Sequence, residues 1–138
     1  MRRRSIRLLD TNIVSYIIRG TLPGADARLV SAPADSLYLS AITRGELRFG
    51  VRKRPEARRL ARLVEEFLIR VPSLDWNSGA ADTYGGLRAE LERRGTPIGN
   101  LDTLIAAHAL SLDAILVTAN RRHFAPVPGL KIEDWAST

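Results

Sequence analysis

Apolar positions along the chain follow two rhythms that alternate from one end to the other. Short continuous runs, Ile6-Arg7-Leu8-Leu9, Leu37-Tyr38-Leu39 and Ala114 to Thr118, suit strands buried within a sheet. The stretches between them repeat apolar residues at three and four, the spacing of a helix with one face on a core. The pattern predicts strands over 5–10, 36–39, 71–74, 114–118 and near 130–133, and helices over 12–19, 24–31, 42–52, 55–69, 77–94 and 100–111. Pro23-Gly24, Pro33 and the stretch 125–129 are short punctuation between elements. Strands alternating with helices imply a three-layer α/β/α domain on a mainly parallel central sheet, and 138 residues suit one domain, 1–138, with a single modest core.

Three polar positions break this pattern at matching places. Pro97 to His108 reads P-I-G-N-L-D-T-L-I-A-A-H, which puts Asp102 in the first turn of an otherwise apolar, Ala-rich helix. Pro97 and Gly99 end what precedes it, Asn100 is the expected N-cap, and Leu101, Leu104, Ile105, His108 and Leu112 share a face. Alone, Asp102 would only complement the positive helix end, worth roughly 0.3–1 kcal/mol. Asp10, however, ends the first strand and opens a helix within Asp10-Thr11-Asn12. That places it at the carboxyl edge of the sheet, where open α/β folds bind ligands. An N-cap accounts for one of those three polar residues, not for the cluster.

Glu46 is the third. At about 100° per residue it falls between Ile42 and Phe49 on the apolar face of its helix, while Arg44, Arg48 and Arg52 form a separate stripe. An inward carboxylate is expensive unless paired or bound to a metal, so a buried Glu–Arg pair stands beside the metal reading. A helix antiparallel to its following strand starts at that strand's carboxyl end, which brings Asp102 to the rim shared by Asp10 and Glu46. The strand 114–118 then runs out into Ala119-Asn120, and Asn120 supplies a fourth oxygen there. Three carboxylates at one point repel one another unless a hard divalent cation, Mg²⁺ or Mn²⁺, sits among them. Cys is absent and the two His residues lack zinc spacing, so zinc is disfavoured.

The blocks L-L-D-T-N (8–12), S-A-I-T-R-G-E-L (40–47), G-T-P-I-G-N-L-D-T-L-I-A-A-H-A (95–109), L-V-T-A-N (116–120) and V-P-G-L-K-I-E-D-W (127–135) resemble, in order, those of PIN-domain ribonucleases, in particular the VapC-type toxins of bacterial toxin–antitoxin pairs. The resemblance runs from residue 6 to residue 135. It implies an acidic site in which Asp10, Glu46 and Asp102 bind Mg²⁺ or Mn²⁺, with Asn120 in support and Thr11 and Asn12 steadying the first carboxylate. It implies RNA as the substrate, a VapB-type antitoxin as the partner, and a homodimer. With the metal chemistry, it implies products carrying 5′-phosphate and 3′-OH ends. Two positions depart from the family. Many relatives carry Asp where Asn120 stands, and His123 occupies a place that is often acidic, just before the Phe.

Charge sharpens the picture. Lys and Arg number 21 against 15 Asp and Glu, and 19 of the 21 are Arg. Eight cations lie between Arg44 and Arg62, opposed only by Glu46 and Glu56, so a positive surface beside an acidic pocket suits a polyanion held by Arg. Arg44, Arg48 and Arg52 are the candidate RNA contacts. A solvated Arg-rich helix is the plainer explanation. No run approaches the ~20 apolar residues of a membrane span, and Met1-Arg2-Arg3-Arg4 leads directly into a strand without a secretory apolar segment. With no Cys, this fits a cytoplasmic protein.

Other candidates fall to plainer readings. His108 is expected as a hydrogen-bonded core residue. Ser40 and Thr43 lack the His and third partner of a nucleophilic triad. Gly85-Gly86 is expected to allow close packing, Tyr84, Leu87 and Leu91 to form a core or dimer stripe, and Trp135 to anchor the C-terminal segment. From a different class, a PIN-fold module that binds RNA or protein without cutting is the competing function, and a DNA nuclease or phosphatase would use the same carboxylates. The intact trio Asp10, Glu46 and Asp102 favours an enzyme.

Overall fold

The computed structural model describes residues 5–136; the basic run 1–4 and the last two residues of the expected 1–138 domain lie outside them. Five strands, β1 (Arg7–Leu9), β2 (Leu37–Ser40), β3 (Ser73–Leu74), β4 (Ile115–Thr118) and β5 (Lys131–Asp134), form one sheet in the order β3-β2-β1-β4-β5, and every pairing is parallel. Seven helices connect them: α1 (Thr11–Arg19), α2 (Pro23–Ser31), α3 (Ala41–Arg52), α4 (Arg58–Arg70), α5 (Ser78–Arg93), α6 (Asn100–Ser111) and α7 (Arg121–Phe124).

The β1 sequence shows why its apolar run is continuous. Leu8 and Leu9 point to opposite faces of the sheet and both are fully buried. Leu9 packs with Ile13, Leu29, Leu47 and Phe67 from α1 to α4. Leu8 packs with Leu91, Ile105 and Leu116 under α5 and α6. The sheet is thus covered on both sides, as parallel sheets require. The chain builds β1, β2 and β3 outward, then crosses the other face to lay β4 against β1 and continue to β5. Right-handed crossovers enforce this change of face when the direction of travel reverses.

Most helix ends fall within a residue of the expected ones, and two helix starts differ in kind. Asn100 is the first residue of α6, not its cap; Gly99 precedes it at φ 93, and Thr103 Oγ1 donates to the Gly99 carbonyl at 2.6 Å. A left-handed backbone there suits glycine. The fourth helix starts at Arg58, since residues 54–57 close a turn through Ala57 N–H to the Arg54 carbonyl. The four-residue α7 was missed because one turn of helix carries no periodicity. α6 is buried on nearly every side, with Ala106, Ala107 and Ala109 inaccessible, whereas Leu101, expected on its apolar face, is half exposed. Leu87, Leu91 and Trp135 are buried as expected. Gly85 and Gly86 are not packing devices: a Cβ at either would meet nothing within 4 Å among the described residues.

His108 is the core residue it was read to be. Its Nδ1 lies 2.8 Å from Ser40 Oγ, and the ring also hydrogen-bonds the Asp75 backbone. The neutral ring has one N–H, which goes to the Asp75 carbonyl, so Nδ1 accepts the Ser40 proton while Ser40 Oγ accepts the Ile42 N–H that caps α3. Ser40 therefore has the histidine that the sequence reading denied it, but both residues are sealed from solvent and no substrate reaches them. Burial holds the imidazole pKa below its usual 6.5. We expect His108→Leu to orphan the Ser40 hydroxyl and the Asp75 carbonyl and cost about 2–3 kcal/mol in urea unfolding at pH 7.5. A neutral buried His contributes stability above its unfolded pKa and loses it as pH falls below, so the gap between the two proteins should narrow towards pH 5. A variant as stable as wild type at pH 7.5 would refute this role.

Candidate active site

The reversal in strand order leaves a crevice outside the carboxyl ends of β1 and β4, the place where open α/β sheets bind ligands. Asp10 follows β1 directly, with its N–H on the Val117 carbonyl of β4 at 2.9 Å. Its Oδ1 accepts the Ile13 N–H at 2.8 Å, so Asp10 is the N-cap of α1. The Thr118 hydroxyl also bonds the carboxylate. Capping and site placement coexist: the cap fixes the carboxylate where the chain turns from strand to helix. Asp10 is only 3% exposed. That burial pushes its pKa up to about 6 against the lowering effect of Ile13 N–H and Thr118. Asp102 nearby raises it further, and His123 lowers it.

Asp102 sits in the first turn of α6, as read from the sequence, with about a third of its side chain exposed. Its Oδ2 lies 2.8 Å from His123 Nε2. α7 holds that histidine in place, with Asn120 Oδ1 capping the His123 N–H at 3.3 Å and the Phe124 ring edge-on to the imidazole. Glu46 takes the Thr11 hydroxyl at 2.6 Å, and Thr43 Oγ1 lies 3.1 Å from Thr11 Oγ1. Thr11 gives its one proton to Glu46, so the Thr43 hydroxyl is the donor to Thr11. No arginine pairs with Glu46 among the described residues. α3 turns Thr43 and Leu47 inward and leaves Phe49 65% exposed, so Glu46 lies at the border of the buried face and not between Ile42 and Phe49 within it.

Asp10, Asp102 and His123 thus form one electrostatic group, and Glu46 joins the rim through Thr11. As the side chains stand, no three Asp, Glu, His or Cys among the described residues are close enough to hold a metal ion. In kind, however, the donors fit Mg²⁺ or Mn²⁺: hard oxygens, one of them a buried carboxylate beside a second. Asn120 is exposed and caps α7, the turn that carries His123. Asn12 is exposed and makes no hydrogen bond to Asp10; the steadying bond comes from Thr118. The sequence carried a signal for Thr118, because it ends β4 in register with Asp10 at the end of β1. Of the candidate RNA contacts, Arg44 reaches Ser73 Oγ at 3.4 Å, Arg48 pairs with Glu65, and Arg52 is exposed.

Comparison with known proteins identifies the family. A profile of the PIN domain matches residues 7–130. The tRNA(fMet)-specific endonuclease VapC of Shigella flexneri is 37% identical over 129 residues, 94% of this chain and 97% of that protein. Among solved structures, DNA-bound VapBC from Salmonella typhimurium aligns at a TM-score of 0.89 and 37% identity, covering 96% of this chain and 99% of that one. VapBC2 from Rickettsia felis, bound to a DNA fragment from the promoter of its genes, aligns at 0.87 and 36%, covering 94% and 98%.

The buried Asp10 makes a prediction about stability. Its pKa is about 6 folded against 3.8 unfolded, so its contribution is fully present below pH 3.8 and is lost as pH rises through 6. Asp10→Asn keeps a capping oxygen without the charge. We expect the variant to melt with wild type near pH 4 and to gain on it progressively up to pH 7.5, by roughly 1–3 kcal/mol. A constant offset across that range would show that charge burial is not the cause.

Proposed function

The chain belongs to the PIN-domain family, and on that premise we propose that it is a metal-dependent endoribonuclease, the VapC-type toxin of a toxin–antitoxin pair. The observation that carries this reading is the meeting of Asp10 and Asp102 at the crevice between β1 and β4, with Glu46 hydrogen-bonded to Thr11, the residue next to Asp10. Relatives of nearly equal length named as VapC ribonucleases support it.

Asp10, Glu46 and Asp102 would hold Mg²⁺ or Mn²⁺, which when bound supplies Lewis-acid activation of water and balances charge at the transferring phosphate. The chain's own contribution is orientation. Ile13 N–H and Thr118 fix Asp10, Thr11 fixes Glu46, and α6 carries Asp102 on a rigid, fully packed helix. Nothing among the described residues forms the pair of histidines that cleavage through the ribose 2′-OH would use, since His108 is sealed in the core. Products with 5′-phosphate and 3′-OH ends follow from this reading.

A VapB-type antitoxin is the natural restraint on such an enzyme. A groove of about 280 Å³ between α1, α2 and α4, lined by Ile17, Leu29, Leu63 and Phe67, supports docking of its apolar segment. An Arg or Lys from the partner would then pair with the acidic rim. We also propose a two-fold dimer and a cytoplasmic location; no helix among the described residues is long and apolar enough to cross a membrane. The competing non-cleaving module draws on the absence of a ready three-residue metal cluster among the described residues.

One comparison separates the two. Purified wild type should cut labelled RNA with Mg²⁺ or Mn²⁺ and stop in EDTA, while Asp102→Asn should lose at least about a hundredfold in rate and still melt at or above the wild-type temperature. In a bacterial host wild type should arrest growth, and Asp10→Ala at equal protein level should not. Near-normal turnover by Asp102→Asn, or equal growth of the two strains, would move the non-cleaving module ahead.

A further inference from the structure

Where α3 hands over to α4, Arg52, Lys53, Arg54, Arg58, Arg59 and Arg62 crowd a single corner, and all six are exposed. Glu56 is the only acidic residue between Arg52 and Arg62, and none of the six cations forms an ion pair among the described residues. Several arginines elsewhere pair with glutamates, Arg7 with Glu133, Arg48 with Glu65, Arg88 with Glu92 and Arg94 with Glu90, and nowhere else in the sequence do six cations fall within eleven residues against one acid. The corner also works against its own helix. Arg58 and Arg59 stand in the first turn of α4, which has no acidic residue and no side-chain cap, so their charge adds to the positive end of the helix dipole. Local stability does not select such a cluster.

We propose that the α3–α4 corner grips RNA phosphates, anchoring the substrate's backbone at a distance from the acidic site; the proposal rests on the ribonuclease reading above. α3 connects the two places. Its first turn holds Thr43 against Thr11 at the site, and Arg52 lies nine residues on, about 14 Å along the helix axis. RNA bound at the crevice therefore meets the corner several nucleotides away from the scissile bond. Five of the six cations are arginines, whose planar forks match phosphate oxygens. An acidic protein partner fits less well, because stable protein interfaces are built on apolar and aromatic anchors. The one exposed aromatic here, Phe49, is already covered by Lys53 Nζ at 5.3 Å from its ring centre. Because the corner touches RNA away from the reacting atoms, it acts on affinity and not on the chemical step.

The test uses the full chain and total bacterial tRNA as the probe. Fluorescence anisotropy in EDTA gives Kd over a range of salt, and single-turnover cleavage with Mn²⁺ at saturating protein gives the rate of the chemical step. The variant Arg54→Gln/Arg58→Gln/Arg59→Gln/Arg62→Gln, checked for wild-type circular dichroism and melting, should bind tRNA at least about tenfold more weakly. Its slope of log K against log salt should fall by about 3, the value for four lost phosphate contacts. Cleavage at saturation should stay within about twofold of wild type. An unchanged Kd and slope would overturn the proposal, and so would a slower chemical step at unchanged Kd. A variant that binds tRNA like wild type but fails to co-purify with its co-expressed antitoxin would also overturn it, in favour of a protein-docking role. If the variant misfolds, Arg54→Gln and Arg59→Gln singly should each lower the slope by about 1, and no change in either would count against the corner. Wild type that binds tRNA with the steep slope yet never cuts it would remove the enzyme and leave the surface standing.

Discussion

A carboxylate held almost out of water at the carboxyl end of β1 is the constraint around which the rest of the molecule is arranged. Asp10 cannot leave its place without uncapping α1 and vacating the β4 edge, because its backbone N–H is spent on Val117 and its side chain on Ile13 and Thr118. The fold keeps the charge there at a cost of order 1–3 kcal/mol near neutral pH. A fold selected for stability alone would put Asn at this cap. The capping geometry therefore explains where Asp10 points, and only chemistry explains why it is an acid. Topology then does the rest: the reversal of strand order between β1 and β4 opens a crevice at that point, and the helix before β4 must begin there, bringing Asp102 with it.

Much of this was legible in the residues. Leu8-Leu9 announced a strand buried on both faces, and the parallel sheet required that Asp10, Asp102 and the end of β4 share a rim. Asp10 and Asp102 do interact there. What stayed hidden depends on angles that a linear pattern does not encode. Glu46 was assigned to the middle of an apolar face because Phe49 was assumed to be buried; a single exposed aromatic shifted that face, and Glu46 reaches the site only through Thr11. Thr118 carries no charge to mark it in the sequence, yet its hydroxyl bonds the Asp10 carboxylate one position past the last β1–β4 pair, Leu9 with Val117. The one-turn α7 was too short to show a period, and with it went the position of His123.

His123 shows how such a site balances its charges. Two neighbouring carboxylates, one buried, are the worst arrangement electrostatically, and the chain sets an imidazole on the outer one while hydroxyls and N–H groups hold the inner one. Glu46 receives a hydroxyl and no cation. Each acid is thereby oriented by a weak donor that a stronger ligand could outcompete, and none is locked into an arginine pair. A bidentate guanidinium at this rim would have stabilised the fold and closed the site.

The arginines obey the same logic in reverse. Several are satisfied by glutamates along α5 and across α3–α4, and six exposed cations without an ion pair among the described residues gather at the corner beyond α3. An Arg-rich composition by itself would spread its cations evenly over the exposed helices. Instead, the charge density peaks where the helix that starts at the acidic rim ends, and it does so in the first turn of α4, where the dipole disfavours it. α3 thus starts beside the acidic rim, where Thr43 meets Thr11, and ends at the cationic corner. In that arrangement a polyanion is repelled by the carboxylates unless a cation sits among them, and is drawn to the far corner whether or not one does. Under the proposed reading, separating attraction from chemistry would let the chain hold RNA without placing a competing guanidinium among the carboxylates.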